Sequence, residues 1–175
     1  MTAVRGERLG AWVNLLQVNQ VVDRAVEQRL KESEDLTLAE FEVLARLSAA
    51  PDRRLKMVDI AGLLLASKSG ITRIVDRLEE AGLVEREIPP ENRRIVYAQL
   101  VPAGVDTFCR ARSVFNDAVE ESFSQYLSDE EVASLRGVLR KLLVGAGVWE
   151  DERCSLKLDT APERLMADAS TSASC

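Results

Sequence analysis

At 175 residues the chain has room for one ordinary domain with a real core, and 46% hydrophobic beside 30% charged residues is the balance of a globular protein, not of a disordered or fibrous one. No apolar run approaches the roughly 18 residues that span a bilayer, and the start MTAVRGERLGAW carries charges where a signal peptide needs an apolar block, so a cytoplasmic protein with no membrane partner is expected. The net charge of −6 opposes nucleic acid as a single number, but Arg53 to Arg94 holds nine Lys or Arg against seven Asp or Glu, which makes that segment +2 and the remainder −8. A mildly positive module on an acidic body can turn one surface to DNA and hold the rest away.

Residues of about 8 to 32 place Leu9, Trp12, Val13, Leu16, Val22, Val26 and Leu30 at helical spacing, which predicts a long amphipathic first helix. Thr37 and Glu40 then form a T-x-x-E capping box for a second helix, with Phe41, Leu44 and Leu47 toward the core and Pro51 and Asp52 ending it. Arg54 to Met57 reads as a short strand and Val58 to Leu65 as a small helix. Ser67 is the N-cap of a helix reaching Ala81, with Gly82 at the C-terminal cap position. Its aliphatic face is Ile71, Ile74, Val75 and Leu78, which leaves Lys68, Ser69, Thr72, Arg73, Asp76 and Arg77 outward. A buried stripe with this polar, partly cationic face suits a DNA major groove.

LVEREI and RIVYAQLV alternate as strands, and PPENR between them predicts a hairpin longer than two residues, the candidate wing. Pro102 opens another long helix whose apolar positions run through Val105, Phe108, Cys109 and Val119 to Phe123 and Leu127. Ser128 and Glu131 cap a final helix through Leu143, with Arg140 and Lys141 near its end to complement the helix dipole. Periodicity stops near Glu150, and DASTSASC predicts a flexible C-terminal tail over 150–175.

The chain has no histidine, so the commonest metal ligand and general base is missing. Cys109, Cys154 and Cys175 are widely spaced and odd in number, so no disulfide framework, metal site or cofactor is expected, and Cys109 reads as a buried inert thiol. Without a nucleophile beside a base or a glycine-rich phosphate loop, the chain is not read as an enzyme.

LTLAEFEVLARL (36 to 47), SKSGITRIVDRLEEAGLVERE (67 to 87), ENRRIVYAQL (91 to 100) and the PAG that follows resemble the MarR family of transcriptional regulators over about residues 8 to 148. The resemblance implies a mainly α fold with a small β wing: one MarR-like domain over 1–149, with a winged helix-turn-helix module at about 36–101 flanked by dimerisation helices at about 8–32 and 102–148. It implies a homodimer on a pseudo-palindromic operator, usually a repressor, and often one that releases DNA when a small aromatic effector binds between the two regions. Family DNA contacts carry over onto Ser67, Lys68, Ser69, Thr72, Arg73 and Arg77 in the helix and onto Arg93 and Arg94 in the wing. For Arg77 a pairing with Glu80 or with a neighbour of Asp76 competes with DNA contact.

Two positions depart from the family pattern. Asn92 stands where an acidic residue commonly pairs with the wing arginines, so an uncharged hydrogen bond must hold the loop. The inter-helix turn LLAS lacks a glycine, so Leu65 or Ala66 must take the bend and a slightly wider turn is expected. Trp12 and Leu16 fit either the wall of an effector cavity or core and dimer packing, and their helical spacing favours packing. The rival to the DNA reading is a winged-helix protein that regulates a protein partner without touching DNA.

Overall fold

Side-chain caps set the starts of three helices in the computed structural model, which describes residues 6–64 and 66–148. Leu65 and the expected tail over 150–175 lie outside the described residues. The first helix, α1 (Glu7–Glu34), ends at Asp35, whose φ of 55° turns the chain. Thr37 Oγ1 then accepts the amide of Glu40 at 3.2 Å while Glu40 Oε2 accepts the amide of Thr37 at 2.7 Å, and α2 (Leu38–Ala49) begins.

The strand β1 (Arg54–Lys56) is one residue shorter than expected because Met57 already opens α3 (Met57–Leu63). The amide of Met57, which has no partner within its helix, donates to the Val96 carbonyl at 3.0 Å. Ser67 Oγ accepts the amide of Gly70 at 3.1 Å and starts α4 (Lys68–Glu80). Gly82, at φ 70°, ends it: its amide bonds Glu79 O and that of Leu83 bonds Leu78 O, both at 2.9 Å, so the last carbonyls of the helix are satisfied.

Strands β2 (Val84–Glu87) and β3 (Tyr97–Leu100) complete an antiparallel sheet of order β1-β3-β2, with Lys56 and Glu87 both opposite Tyr97. The chain then enters α5 (Pro102–Ser122) at a glycine that has no room for a side chain: a Cβ on Gly104 would lie 2.0 Å from Leu83 O. The turn after α4 and the first turn of α5 are therefore packed backbone to backbone.

Two expectations for the C-terminal helices are corrected. Phe123, at φ −140°, leaves the helix, a short 3-10 turn Ser124–Tyr126 follows, and Leu127 is extended, so neither Phe123 nor Leu127 belongs to α5. The extended approach is what the Ser128 N-cap requires, and the Ser128–Glu131 box opens α6 (Asp129–Gly145). Because α6 runs to Gly145, Arg140 and Lys141 precede its last turn, which holds no basic residue, and they are too far inside to complement the dipole.

The core centres on α2. Phe41 stacks on Phe115 and Phe108 of α5 at centroid distances of 4.6 and 5.7 Å, and Val43, Leu44 and Leu47 meet Ile60, Ile71, Val75 and Leu78. Val26 and Leu30 bring the C-terminal half of α1 into this core, and the pairs Glu34–Arg110 and Arg29–Glu121 set α1 antiparallel to α5. Residues 7–20 of α1 are exposed throughout, and α6 contains no buried residue. No helix among the described residues is long and apolar enough to cross a membrane.

Candidate nucleic-acid interface

Ile71, Val75 and Leu78 are buried on one side of α4, which leaves Lys68, Ser69, Thr72 and Arg73 exposed on the other. Among the described residues neither Lys68 nor Arg73 forms an ion pair. Ser67 is exposed as well, but its hydroxyl is committed to the cap and sits 3.3 Å from Ser69 Oγ. Thr72 Oγ1 donates to Lys68 O at 2.9 Å, so the methyl group is what Thr72 can offer outward.

Arg77 behaves differently from Arg73 one turn earlier. Its Nε lies 3.0 Å from Glu40 Oε1 in an ion pair across to α2, and neither Glu80 nor a neighbour of Asp76 takes that place. In the sequence Glu40 reads only as a capping residue, and nothing local joins it to a residue 37 positions later. Arg86 was missed altogether. From β2 its guanidinium reaches back to Asp76 Oδ1 at 2.6 Å, Glu79 Oε2 at 2.5 Å and the Thr72 carbonyl at 3.2 Å, and its side chain is only 22% exposed. The signal was present: strand alternation puts Arg86 on the side of buried Val84, facing the helix. Two carboxylates of α4 are thus drawn to the rear by one cation, and the forward half of the helix keeps its positive charge.

The wing spans 88–96. Its tip is held by Asn92, whose amide donates to Pro89 O, whose carbonyl accepts from Ile95 N and whose side-chain Oδ1 accepts from Arg94 N, each at 3.1 Å. The amide side chain therefore fixes the backbone of the loop, not an arginine head, and Arg93 and Arg94 stand exposed without an ion pair among the described residues. At the wing base Arg54 lies 4.2 Å over the ring of Tyr97 and pairs with Glu87 at 2.5 Å, which ties all three strands together.

Trp12 and Leu16 are 55% and 42% exposed on the free half of α1. A groove of about 880 Å³ opens further along the same helix, between α1 and the start of α2, lined by Asp23, Arg24, Glu27, Lys31, Leu38 and Glu42 among others, but not by Trp12 or Leu16. Burial pushes the Glu42 carboxyl up from its ordinary value, while Arg46 opposes that shift. Cys109 is a further correction: it is half-buried, not fully buried.

Residues 36–96 match the model of the MarR family. The chain is 33% identical over 113 residues to the HTH-type transcriptional regulator MhqR of Bacillus subtilis, covering 63% of this chain and 74% of that protein. It is 29% identical over 126 residues to the multiple antibiotic resistance protein MarR of Escherichia coli, covering 72% and 85%. It superposes on the crystal structure of a cysteine-to-serine mutant of MarR from Escherichia coli complexed with operator DNA with a TM-score of 0.71 at 28% identity, covering 81% of this chain and 99% of that one. With the order α1-α2-β1-α3-α4-β2-β3-α5-α6 and the wing in place, the chain belongs to the MarR family of winged-helix transcriptional regulators.

Proposed function

We propose that this protein is a homodimeric, ligand-responsive repressor that binds a pseudo-palindromic DNA operator. The observation that carries the DNA reading is the charge sorting on α4: Lys68 and Arg73 project outward unpaired while Asp76 and Glu79 are held back by Arg86. Arg73 is the base reader, with a guanidinium able to meet guanine O6 and N7, and Thr72 offers its methyl to thymine. Ser67, Lys68 and Ser69 at the helix start and Arg93 and Arg94 in the wing contact phosphates, the wing pair from a loop that Asn92 keeps in shape.

The homodimer reading rests on the apolar residues left outside the core. Leu9, Trp12, Val13 and Leu16 on α1 and Val138, Leu142 and Val144 on α6 are exposed. An obligate partner surface has this composition. Trp12 and Leu16 belong to that surface, and the effector, a small aromatic molecule, works by favouring a dimer whose two α4 helices no longer sit one DNA turn apart, about 34 Å.

Selection of bound duplexes from a random pool tests the reading. Two inverted half-sites centred about 10 base pairs apart are expected. A pool that returns without an enriched motif, together with elution of the protein from random duplex unchanged by Arg73→Ala, would favour a role exerted on a protein partner instead.

A further inference from the structure

Glu40 is the one charged residue buried among the described residues, and both of its oxygens are used. Oε2 accepts the amide of Thr37 at 2.7 Å and Oε1 lies 3.0 Å from Arg77 Nε in an ion pair, so one carboxylate joins the first turn of α2 to α4. That first turn is itself held from behind, because Glu27 Oε2 on α1 accepts the amide of Leu38 at 2.5 Å. Consecutive amides, Thr37 and Leu38, thus lock the start of α2 to two carboxylates, and the carboxylate facing α4 has no freedom to follow Arg77 if the helix turns.

The hydrophobic stripe of α4 sets which side is buried, with Ile71, Val75 and Leu78 in one core with Leu44 and Leu47, but hydrophobic burial is itself non-directional. Charged contacts on the flanks of the helix add constraints at fixed places. Arg86 supplies one on the β2 side through Asp76 and Glu79, and Arg77 supplies the other on the α2 side. Both ion pairs engage the C-terminal half of α4, Arg86 reaches on to the Thr72 carbonyl at 3.2 Å, and the side chains of Lys68, Thr72 and Arg73 stay exposed.

We propose that Arg77 is a positioning residue for DNA recognition, not a phosphate contact: acting through Glu40, it fixes the rotation of α4 so that Thr72 and Arg73 meet base edges. This rests on the DNA reading above. The pair matters to specific binding, where side-chain direction decides base contact, and not to non-specific binding, which needs only charge.

The test uses the full chain, the duplex recovered by selection and a random duplex, with affinities measured across a salt series and thermal unfolding in parallel. Glu40→Gln keeps an acceptor for Thr37 and leaves the Arg77 charge in place. It is expected to weaken binding to the selected duplex about tenfold while random-duplex affinity and the salt slope stay at wild-type values. Arg77→Gln should do the same, and the double variant should be no worse than either single one, because both remove one contact. If Glu40→Gln leaves affinity for the selected duplex unchanged or raises it, or merely lowers the melting temperature, the proposal is overturned. A salt slope smaller by about two per dimer in Arg77→Gln overturns it as well, since that is the signature of a lost phosphate contact on each subunit. Should Glu40→Gln not fold, the slope and affinity of Arg77→Gln decide alone. Wild-type protein that binds neither duplex overturns this proposal and the DNA reading together, whereas normal wild-type binding with unaffected variants overturns only this one.

Discussion

The core around α2 and the outer helices both carry amphipathic patterns, yet among the described residues only the first is closed. Phe41 of α2 finds Phe108 and Phe115, and Leu44 and Leu47 find α4. Trp12 and Leu16 on α1 stay exposed among the described residues, as do Val138 and Leu142 on α6, although they too recur at helical spacing. Periodicity therefore reports that a face will be buried and is silent on whether the covering surface belongs to the same molecule. The boundary between the two regimes runs through α1, exposed to residue 21 and buried at Val26 and Leu30.

Substitutions should separate the two regions. The largest effect is expected in the closed core: Phe41→Ala removes a ring stacked on two others and should lower stability by about 3–5 kcal/mol in chemical unfolding. A cost below about 1 kcal/mol would mean that the aromatic cluster is not the centre of the fold. At the open faces, Trp12→Asp with Leu142→Asp should weaken self-association about a hundredfold, roughly 2.7 kcal/mol, as read by sedimentation or light scattering, while helix content is retained. An unchanged oligomeric state in that double variant would remove the outer helices from the dimer interface. Next comes Arg86→Ala, which strips two carboxylates of α4 of their counter-ion. A stability loss of about 1 kcal/mol is expected after solvent screening of the half-exposed Asp76 and Glu79, with a larger loss in DNA affinity because negative charge returns to the recognition helix.

The same contrast explains what could be read from the chain beforehand. Helix starts were legible because a cap is a local code: Thr37, Ser67 and Ser128 each bond an amide three residues on, and nothing distant decides it. The buried face of α4 and the wing order were legible for the same reason. The end of α5 was not, because apolar spacing continues to Leu127 while the approach to the Ser128 cap forces the backbone out of the helix at Phe123. Arg77 and Arg86 were illegible in a deeper sense. Their partners are 37, 10 and 7 residues away on other elements, and whether an arginine faces solvent, DNA or a buried carboxylate is settled only when three elements have packed. Arg73 and Arg77 look alike in the sequence and differ in the fold because Glu40 lies beside only one of them.

The smallest expected effect on stability, and the sharpest contrast with Arg77, belongs to the wing. Arg93 and Arg94 are exposed, and the loop that carries them is held by backbone bonds and by Asn92 Oδ1, so neither arginine head is needed for the loop to keep its shape. Arg93→Ala with Arg94→Ala should therefore shift stability by less than about 0.5 kcal/mol. If both heads neutralise phosphates on each half of a dimer, four contacts disappear, and the slope of log affinity against log salt should become shallower by about 3 to 4. Specific and random duplexes should lose affinity in parallel, because a phosphate contact carries no sequence information. A loss confined to the selected duplex would instead place one of these arginines in the minor groove, reading its width. The two outcomes are separated by a single salt titration on two duplexes, and together with Arg77→Gln they divide the cations of this surface into those that supply charge and those that supply direction.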